Sequence, residues 1–316
     1  MNKRQLGKTS INVSPLMFGG NVFGWTIDQA TSFKILDAFI DAGLNFIDTA
    51  DVYSRWVQGN SGGESETIIG NWLKASGKRD QIVLATKVGK EMGEGKKGLS
   101  ARYIKQAVEA SLCRLRTDYI DLYQSHDDDK ETSFEETLEA YSQLITEGKV
   151  RVIGASNYTA DRLAEALQVG ASKSLATYQT LQPEYNLYAR EDYETNLEHL
   201  CLDQGLGVVP FYSLASGFLT GKYRSEADFG KSKRGGVMGK YLNDRGVRIL
   251  DALDKVADQY NTSQASVALA WLIARPSITA PIASATSLAQ LQDLVKATEL
   301  NLSDEAVTLL TEASSY

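Results

Sequence analysis

Short apolar runs rich in β-branched residues alternate along this chain with longer amphipathic segments. Eight runs have the length and composition of buried strands: 14–20, 44–50, 81–89, 119–126, 149–157, 174–182, 206–213 and 277–285. Between them, segments 28–43, 133–148 and 263–276 place apolar residues at helical spacing and carry cap residues at their ends. This alternation predicts parallel βαβ units.

Eight such units predict an α/β fold, a closed (β/α)8 TIM barrel in one domain over residues 1–316, with an extra helix at the C-terminal end. The start of the chain predicts a β-hairpin around Gly7 and Lys8 that closes the barrel bottom. The alternative, an open doubly wound sheet, would carry G-x-G-x-x-G after its first strand, where this chain has GGNVFG. The polar, glycine-rich stretch 222–241 predicts a mobile functional loop.

Composition and charge narrow the class of protein. The 316 residues carry a net charge of −7, which argues against a nucleic-acid partner. The N-terminus has no apolar leader, and no run reaches the roughly 18 apolar residues of a membrane span, so we expect a cytoplasmic protein. The two cysteines lie far apart, and with only two histidines the chain predicts no metal site.

The stretch NFIDTADVYSRW, residues 45–56, ends a strand-like run in a carboxylate and follows it with a phenol. In parallel barrels, active sites form at the carboxyl ends of the strands. At those ends this chain places Asp48 with Tyr53, Lys87, His126, Ser156 with Asn157, Gln182, and Tyr212 with Ser213. Each of these residues taken singly fits an ordinary cap or strand end, but their joint occurrence predicts one shared site.

The residue types predict proton transfer to a carbonyl group. A tyrosine has an ordinary pKa of about 10, and we expect Lys87 beside Tyr53 to lower it. The Asp48 carboxylate would keep the buried lysine charged, and His126 would position the carbonyl. Serine hydrolase chemistry and zinc proteolysis are disfavoured because the chain contains neither G-x-S-x-G nor H-E-x-x-H.

These motifs resemble the aldo-keto reductase superfamily over nearly the whole chain. GLNFIDTADVYSRW, LATKVG and IDLYQSH are similar to the family segments that carry the catalytic Asp, Tyr, Lys and His; EGKVRVIGASNY, LQPEYNLYAR, FYSLASGFLTGKY and PIASATSLAQLQDL follow in the family order. SGFLTGKY resembles the branch that contains bacterial reductases and potassium-channel beta subunits. The resemblance implies a barrel that binds NADP(H), with NAD(H) as the alternative, and a small carbonyl or alcohol substrate.

The resemblance also implies residue roles. Tyr53 is the general acid–base, Lys87 and Asp48 tune it, and His126 orients the carbonyl. Loop aromatics usually line the family pocket, which makes Trp25 and Trp56 candidate substrate contacts, with packing as the alternative. The implied cofactor contacts are Gly20, Asn21 and Val22 near the nicotinamide; Ser156, Asn157 and Gln182 at its carboxamide; Tyr212 stacked on its ring; Ser213, Leu214, Ser216, Gly217, Leu219 and Lys222 at the pyrophosphate; and Ser284, Thr286, Ser287, Gln290 and Asp293 at the adenosine end.

The chain departs from the resemblance at the adenosine end. Ser284 and Gln290 stand where many relatives place Lys and Arg against the 2′-phosphate of NADP. On the 222–241 loop, Arg234, or Lys231 and Lys233, could supply that charge. The acidic run HDDDK after His126 would disfavour anionic substrates if it reached the mouth; a solvated loop is the alternative.

The sequence therefore predicts an NADP(H)-dependent reductase of aldehydes or ketones that works reversibly. The alternatives are an NAD-linked sugar or alcohol dehydrogenase of the same fold and a cofactor-sensing regulatory subunit. An isomerase or lyase barrel has little support from this set of residues. The sequence does not encode the physiological substrate, the direction of the reaction or the oligomeric state.

Overall fold

The computed structural model describes residues 2–316 and forms a closed barrel of eight parallel strands. An antiparallel hairpin, β1 (Arg4–Gln5) with β2 (Asn12–Val13), precedes the barrel. The barrel strands are β3 (Met17–Gly19), β4 (Phe46–Asp48), β5 (Val83–Val88), β6 (Ile120–Ser125), β7 (Val150–Ser156), β8 (Thr180–Gln182), β9 (Gly207–Val208) and β10 (Ile282–Ala283). From β3 to β9 each strand pairs in parallel with the next, and β10 pairs in parallel with β3. The backbone N–H of Ile282 donates to the carbonyl of Pro210 at 2.9 Å and closes the ring. The predicted barrel and hairpin are confirmed.

Helices cover the outside of the barrel. They are α1 (Gln29–Asp41), α2 (Glu64–Ser76), α3 (Ala101–Leu115), α4 (Phe134–Thr146), α5 (Ala160–Lys173), α6 (Glu198–Gln204), α7 (Asp244–Gln259), α8 (Gln264–Ala274), α9 (Leu288–Ala297) and α10 (Asp304–Ala313). The side chains of Asp28, Ser133 and Ser263 accept the N-terminal hydrogen bonds of α1, α4 and α8, as their positions predict. None of the helices within residues 2–316 is both long enough and apolar enough to cross a bilayer.

The extents of two predicted strands need correction. The strands in the runs 206–213 and 277–285 are only two residues long, because Pro210 and Pro281 have no N–H to donate to a ladder. The 222–241 stretch, predicted as a mobile functional loop, contains two short 3-10 segments, Glu226–Lys231 and Gly235–Tyr241.

The hairpin closes the lower end of the barrel with apolar side chains. Leu6, Ile11 and Val13 are buried and pack with the inward-facing residues of the strands: Met17, Phe46, Val83, Ala85, Leu122, Val152, Val209, Ala280 and Ile282. Gly7 turns the hairpin with φ +59°, and a side chain there would collide with the carbonyl of Gln179. The lower half of the barrel is therefore a packed core, and polar groups collect at the upper half.

Candidate active site

Three of the predicted residues meet above this core. In the β4–β5 register Asp48 lies opposite Ala85, so Lys87, two residues further, projects from the same face of the sheet. Lys87 Nζ lies 2.7 Å from Asp48 Oδ2, 2.8 Å from the carbonyl of Thr49 and 2.9 Å from the Tyr53 hydroxyl. Lys87 and Asp48 are buried, and the Tyr53 ring is partly exposed with its hydroxyl turned inward. The arrangement joins a proton donor directly to a buried cation.

Two amide side chains support the second carboxylate oxygen. Gln182 Nε2 donates to Asp48 Oδ1 at 3.1 Å, and the Gln124 amide lies 3.4 Å from the same oxygen. Sequence reasoning missed Gln124. The signal was its position in β6, two residues before His126 and therefore on the same side of the strand. With these amides the carboxylate is held from both of its oxygens.

His126 lies beside Tyr53, with 6.0 Å between the two ring centroids. Burial, together with the positive charges of Lys87 and Lys90, lowers the pKa of His126 well below its ordinary value. The imidazole is therefore neutral at pH 7. Its Nδ1 is buried and finds no hydrogen-bond partner within residues 2–316. A neutral imidazole can orient a substrate oxygen without adding charge.

The structure reverses the expected sign of the Tyr53 shift. Burial raises the pKa of Tyr53 well above its ordinary value, and the Asp48 charge and hydrogen bond raise it further. Burial also lowers the pKa of Lys87, against the attraction of Asp48. The expectation that Lys87 lowers the phenol pKa considered the nearby charge alone, whereas loss of hydration dominates here. The phenol consequently keeps its proton at neutral pH.

Ser156, Asn157 and Gln182 lie together on the adjoining rim. Ser156 Oγ donates to the carbonyl of Gln182 at 2.9 Å. Asn157 has φ +58°, and its side-chain amide donates to the carbonyl of His126 at 2.8 Å and to Asp127 at 2.9 Å. This part of the predicted cofactor site is therefore continuous with the Tyr53 cluster through Gln182 and His126.

The chain curls sharply after β9. Tyr212, Ala215 and Ser216 have positive φ values of 51°, 46° and 58°, and Gly217 has φ 100°. Consecutive left-handed residues form backbone concavities of the kind that hold phosphate. An added side chain at Gly217 would approach Lys222 Nζ to 3.5 Å, so the lysine lies over the curl. The predicted pyrophosphate contacts Ser213, Leu214 and Leu219 belong to the same segment.

Arg234 is a cation without a partner at the mouth. Its guanidinium carbon lies 5.2 Å from the centroid of the Trp25 ring, and within residues 2–316 the group makes no ion pair or side-chain hydrogen bond. The phenols of Tyr212 and Tyr53 are close enough to act on it electrostatically. Its neighbours are engaged, since Lys231 pairs with Asp228 at 2.7 Å and Lys233 donates to the carbonyl of Trp25 at 2.9 Å.

The residues predicted at the adenosine end form a separate group around β10 and α9. Ser284 Oγ lies 2.7 Å from both the carbonyl of Gly19 and the side-chain oxygen of Asn21, next to buried Gly20 and Val22. Thr286 N–H donates to Gln290 Oε1 at 2.8 Å, and Ser287 caps α9. Asp293 lies in α9, where its backbone carbonyl accepts from Ser266.

Aromatic rings form the wall of the mouth. Trp56 is 51 % exposed, and its ring packs edge-on against two others. The centroid distances are 5.9 Å to the Tyr53 ring and 5.6 Å to the Trp25 ring. The exposed face of Tyr212 adds a further ring. Apolar rings around a polar floor are typical of small-molecule sites.

The three aspartates of the acidic run after His126 are partly exposed, and each has a partner. Asp127 pairs with Lys90 at 2.8 Å, and Asp128 pairs with Arg162 at 2.8 Å. Asp129 accepts the backbone N–H of Leu99 at 2.7 Å. These carboxylates tie neighbouring loops together. Within residues 2–316 no cluster of three or more His, Cys, Asp or Glu residues is arranged to hold a metal ion.

Comparisons with known proteins extend this description. Residues 15–315 match the model of the Aldo/keto reductase family. The uncharacterized oxidoreductase YrpG of Bacillus subtilis is 35 % identical over 99 % of this chain and 95 % of its own length. A probable voltage-gated potassium channel subunit beta of Arabidopsis thaliana is 33 % identical over 95 % and 92 %. The aryl-alcohol dehydrogenase (NADP+) of Phanerodontia chrysosporium is 30 % identical over 97 % and 84 %.

Proposed function

Since the chain belongs to the aldo/keto reductase family, we propose that it is an NADP(H)-dependent oxidoreductase that reversibly reduces aldehydes or ketones to alcohols. Membership of this family implies an oxidoreductase, and its members generally use a nicotinamide cofactor. The observation that carries the proposal is the contact of the Tyr53 hydroxyl with the buried, Asp48-paired ammonium of Lys87, beside a neutral His126. We propose further that the protein acts in the cytoplasm on a small-molecule substrate.

In this proposal Tyr53 is the general acid. The cofactor, when bound, supplies the hydride that reduces the carbonyl carbon. The Tyr53 hydroxyl donates its proton to the carbonyl oxygen, and the O–H bond of the alcohol replaces that of the phenol. The Lys87 ammonium, 2.9 Å away, stabilises the phenolate that remains, and Asp48 keeps that ammonium charged and in place. In the oxidative direction the same phenolate accepts the proton back.

His126 would hold the carbonyl oxygen of the substrate near Tyr53. Its imidazole is neutral at pH 7, so it can donate one hydrogen bond to the substrate without placing a second positive charge beside Lys87. Trp25 and Trp56 would pack against the body of the substrate, because their rings stand on the wall beside Tyr53. The proposal therefore favours carbonyl compounds with an apolar or aromatic part.

The residues around the mouth fit a dinucleotide. The left-handed curl at 212–217 with Lys222 above it suits a pyrophosphate, and a rim amide such as Asn157 suits a carboxamide. The unpaired guanidinium of Arg234 is suited to one more phosphate, which favours NADP(H) over NAD(H). Ser284, Thr286, Ser287, Gln290 and Asp293 would contact the adenosine end.

A regulatory role is the second candidate, because one relative is described as a probable potassium channel subunit beta. A subunit that only senses its cofactor has no need of a proton donor held on a buried lysine. The intact cluster of Tyr53, Lys87, Asp48 and His126 therefore favours the enzyme.

The test is the Tyr53→Phe variant. We expect kcat for reduction of a benzaldehyde series with NADPH to fall by about 10²–10⁴, because only the proton donor is removed. NADPH binding, followed by cofactor fluorescence, should be retained. Tyr119→Phe is the matched control, since that phenol lies at the opposite end of β6 and should leave turnover unchanged. Full turnover in Tyr53→Phe would refute the proposed mechanism.

A further inference from the structure

A second aspartate lies between Asp48 and Tyr53 and has no place in the mechanism above. Asp51 is only 2 % exposed, and its Oδ1 finds no hydrogen-bond partner within residues 2–316. Its backbone N–H lies 3.4 Å from the carbonyl of Lys87. The carboxyl group is thus buried on the loop that carries the phenol, and the backbone of this residue lies next to that of Lys87.

Asp51 has no ion-pair partner within residues 2–316, because the neighbouring Glu66 pairs with Arg114. Glu66 of α2 is fully buried and accepts from Arg114 Nε of α3 at 2.6 Å and from Thr86 Oγ1 of β5 at 2.5 Å. Arg114 is therefore bound to Glu66, and the two carboxyl groups repel each other. The remaining titratable groups that act on Asp51 are Lys87 of β5, Tyr53 of the same loop, Tyr103 of α3, Tyr123 of β6 and Tyr141 of α4.

This environment favours the neutral acid. Burial, and then the negative charge of Glu66, raises the pKa of Asp51 to about 8, although Arg114 and Lys87 oppose the shift. At pH 7 the group therefore carries a proton in the folded chain. Above pH 8 it becomes an anion close to both Lys87 and Tyr53.

We propose that Asp51 is a positioning residue of the reaction centre: it is neutral in the active form, and its ionisation impairs proton transfer from Tyr53. A second negative charge behind the cluster makes the phenolate harder to form, because Asp51 and Asp48 then both oppose it. The same charge binds the Lys87 ammonium more firmly and reduces its effect on the phenol. This inference rests on the proposed function and adds a pH limit to it.

The pH profile of kcat/KM between pH 6 and 10 tests the inference. In the wild-type protein we expect the reductive rate to fall approximately tenfold from pH 7 to pH 9, one unit above the titration. In Asp51→Asn, which stays neutral, the rate should fall less than twofold over that range. If the fall in rate were caused by loss of the Lys87 proton, Asp51→Asn would still show it, at the same or a lower pH, and the inference would be wrong.

A matched control and a second variant separate this role from a structural one. Asp28→Asn keeps the cap of α1 and should leave the profile unchanged. If the asparagine is not accommodated, Asp51→Ser serves instead: it also removes the carboxyl group and should abolish the fall of kcat/KM between pH 7 and pH 9. A rate that drops by one constant factor at every pH in these Asp51 variants would overturn the inference.

Unfolding by urea provides a readout that does not need turnover. Because Asp51 has a raised pKa only in the folded chain, folding takes up a proton there, and the contribution of Asp51 to wild-type stability declines as pH rises from about 4 to 8. The stability gap between Asp51→Asn and the wild-type protein should therefore widen from pH 5 to pH 8 and then level off. If no carbonyl compound is reduced at any pH, the proposed function fails, whereas a constant stability gap would overturn the inference about Asp51 itself.

Discussion

The ammonium of Lys87 is fully buried and donates all three of its protons. The acceptors are Asp48 Oδ2, the carbonyl of Thr49 and the Tyr53 hydroxyl. Three acceptors match the three protons of a charged ammonium, so they fix the position of Lys87 Nζ and favour its charged form. The ammonium in turn holds the Tyr53 hydroxyl in place. Sequence patterns identified Asp48 and Tyr53 because one ends a strand and the other follows it, but they did not identify the carbonyl of Thr49. The patterns did not give the sign of the Tyr53 shift, because the sign depends on how much water the fold removes.

Lys87→Met is expected to destabilise the protein by about 3–5 kcal/mol, because it leaves the Asp48 carboxylate buried without its cation. Urea unfolding at pH 7 measures the change. The double variant with Asp48→Asn should recover most of the loss, since no unpaired charge then remains. Lys149→Met, which removes a solvent-exposed pair with Glu109, should have a much smaller effect. Equal losses in the two single variants would contradict this account of the buried pair.

At the scale of elements, the ends of three neighbouring strands carry the polar side chains of the site, and two helices behind them carry a buried ion pair. β4, β5 and β6 carry Asp48, Lys87 and Gln124, while α2 and α3 bring Glu66 and Arg114 behind them. The strand ends could be predicted from the apolar runs that precede them. Glu66 and Arg114 could not, because both lie on amphipathic helices and only tertiary packing turns them inward.

The segment 222–241 has local structure that the sequence did not specify. Its glycines and charges predict a mobile functional loop, and within it two short 3-10 segments bring Arg234 onto Trp25. Such turns depend on contacts with distant residues, for example Lys233 with the carbonyl of Trp25, and local propensity does not encode these contacts. The cation at the mouth is therefore a product of the tertiary fold.

Arg234→Gln is expected to weaken NADPH binding about 10–100-fold, as loss of a charge-assisted phosphate contact would. NADH binding should change little, because NADH lacks the 2′-phosphate. Fluorescence titration with both cofactors measures the two affinities. Arg224→Gln on the same segment is the control, since Arg224 already pairs with Asp254 at 2.8 Å. An equal loss for both cofactors would assign Arg234 to a phosphate that the two share.

At the scale of the whole molecule, the barrel interior is divided into an apolar lower half and a polar upper half. The eight-unit barrel could be predicted because the runs are regular and each is bounded by glycine, proline or a cap. The hairpin was predicted from its turn, and its apolar side chains complete the lower layer. Strand lengths could not be predicted, because the curvature of the barrel and the prolines limit pairing.

Leu6→Ala tests whether the hairpin is part of the barrel core. Leu6 is fully buried in the lower cluster, so the truncation should cost about 2–5 kcal/mol by loss of burial and formation of a cavity. Urea or thermal unfolding measures the loss. Lys3→Ala, at an exposed position next to the hairpin, is the control and should be close to neutral. A neutral Leu6→Ala would mean that the barrel is stable without this contact.

The apolar lower layer closes one end of the barrel. The hairpin side chains and the layer above them are apolar, so this layer places no polar group beneath Lys87 and Tyr53. In the proposed reaction, a phenolate must regain a proton after each reduction, and the apolar lower layer has no group that could supply it. In the proposed reaction, reprotonation of Tyr53 and exchange of the ligands therefore both take place above the lower layer.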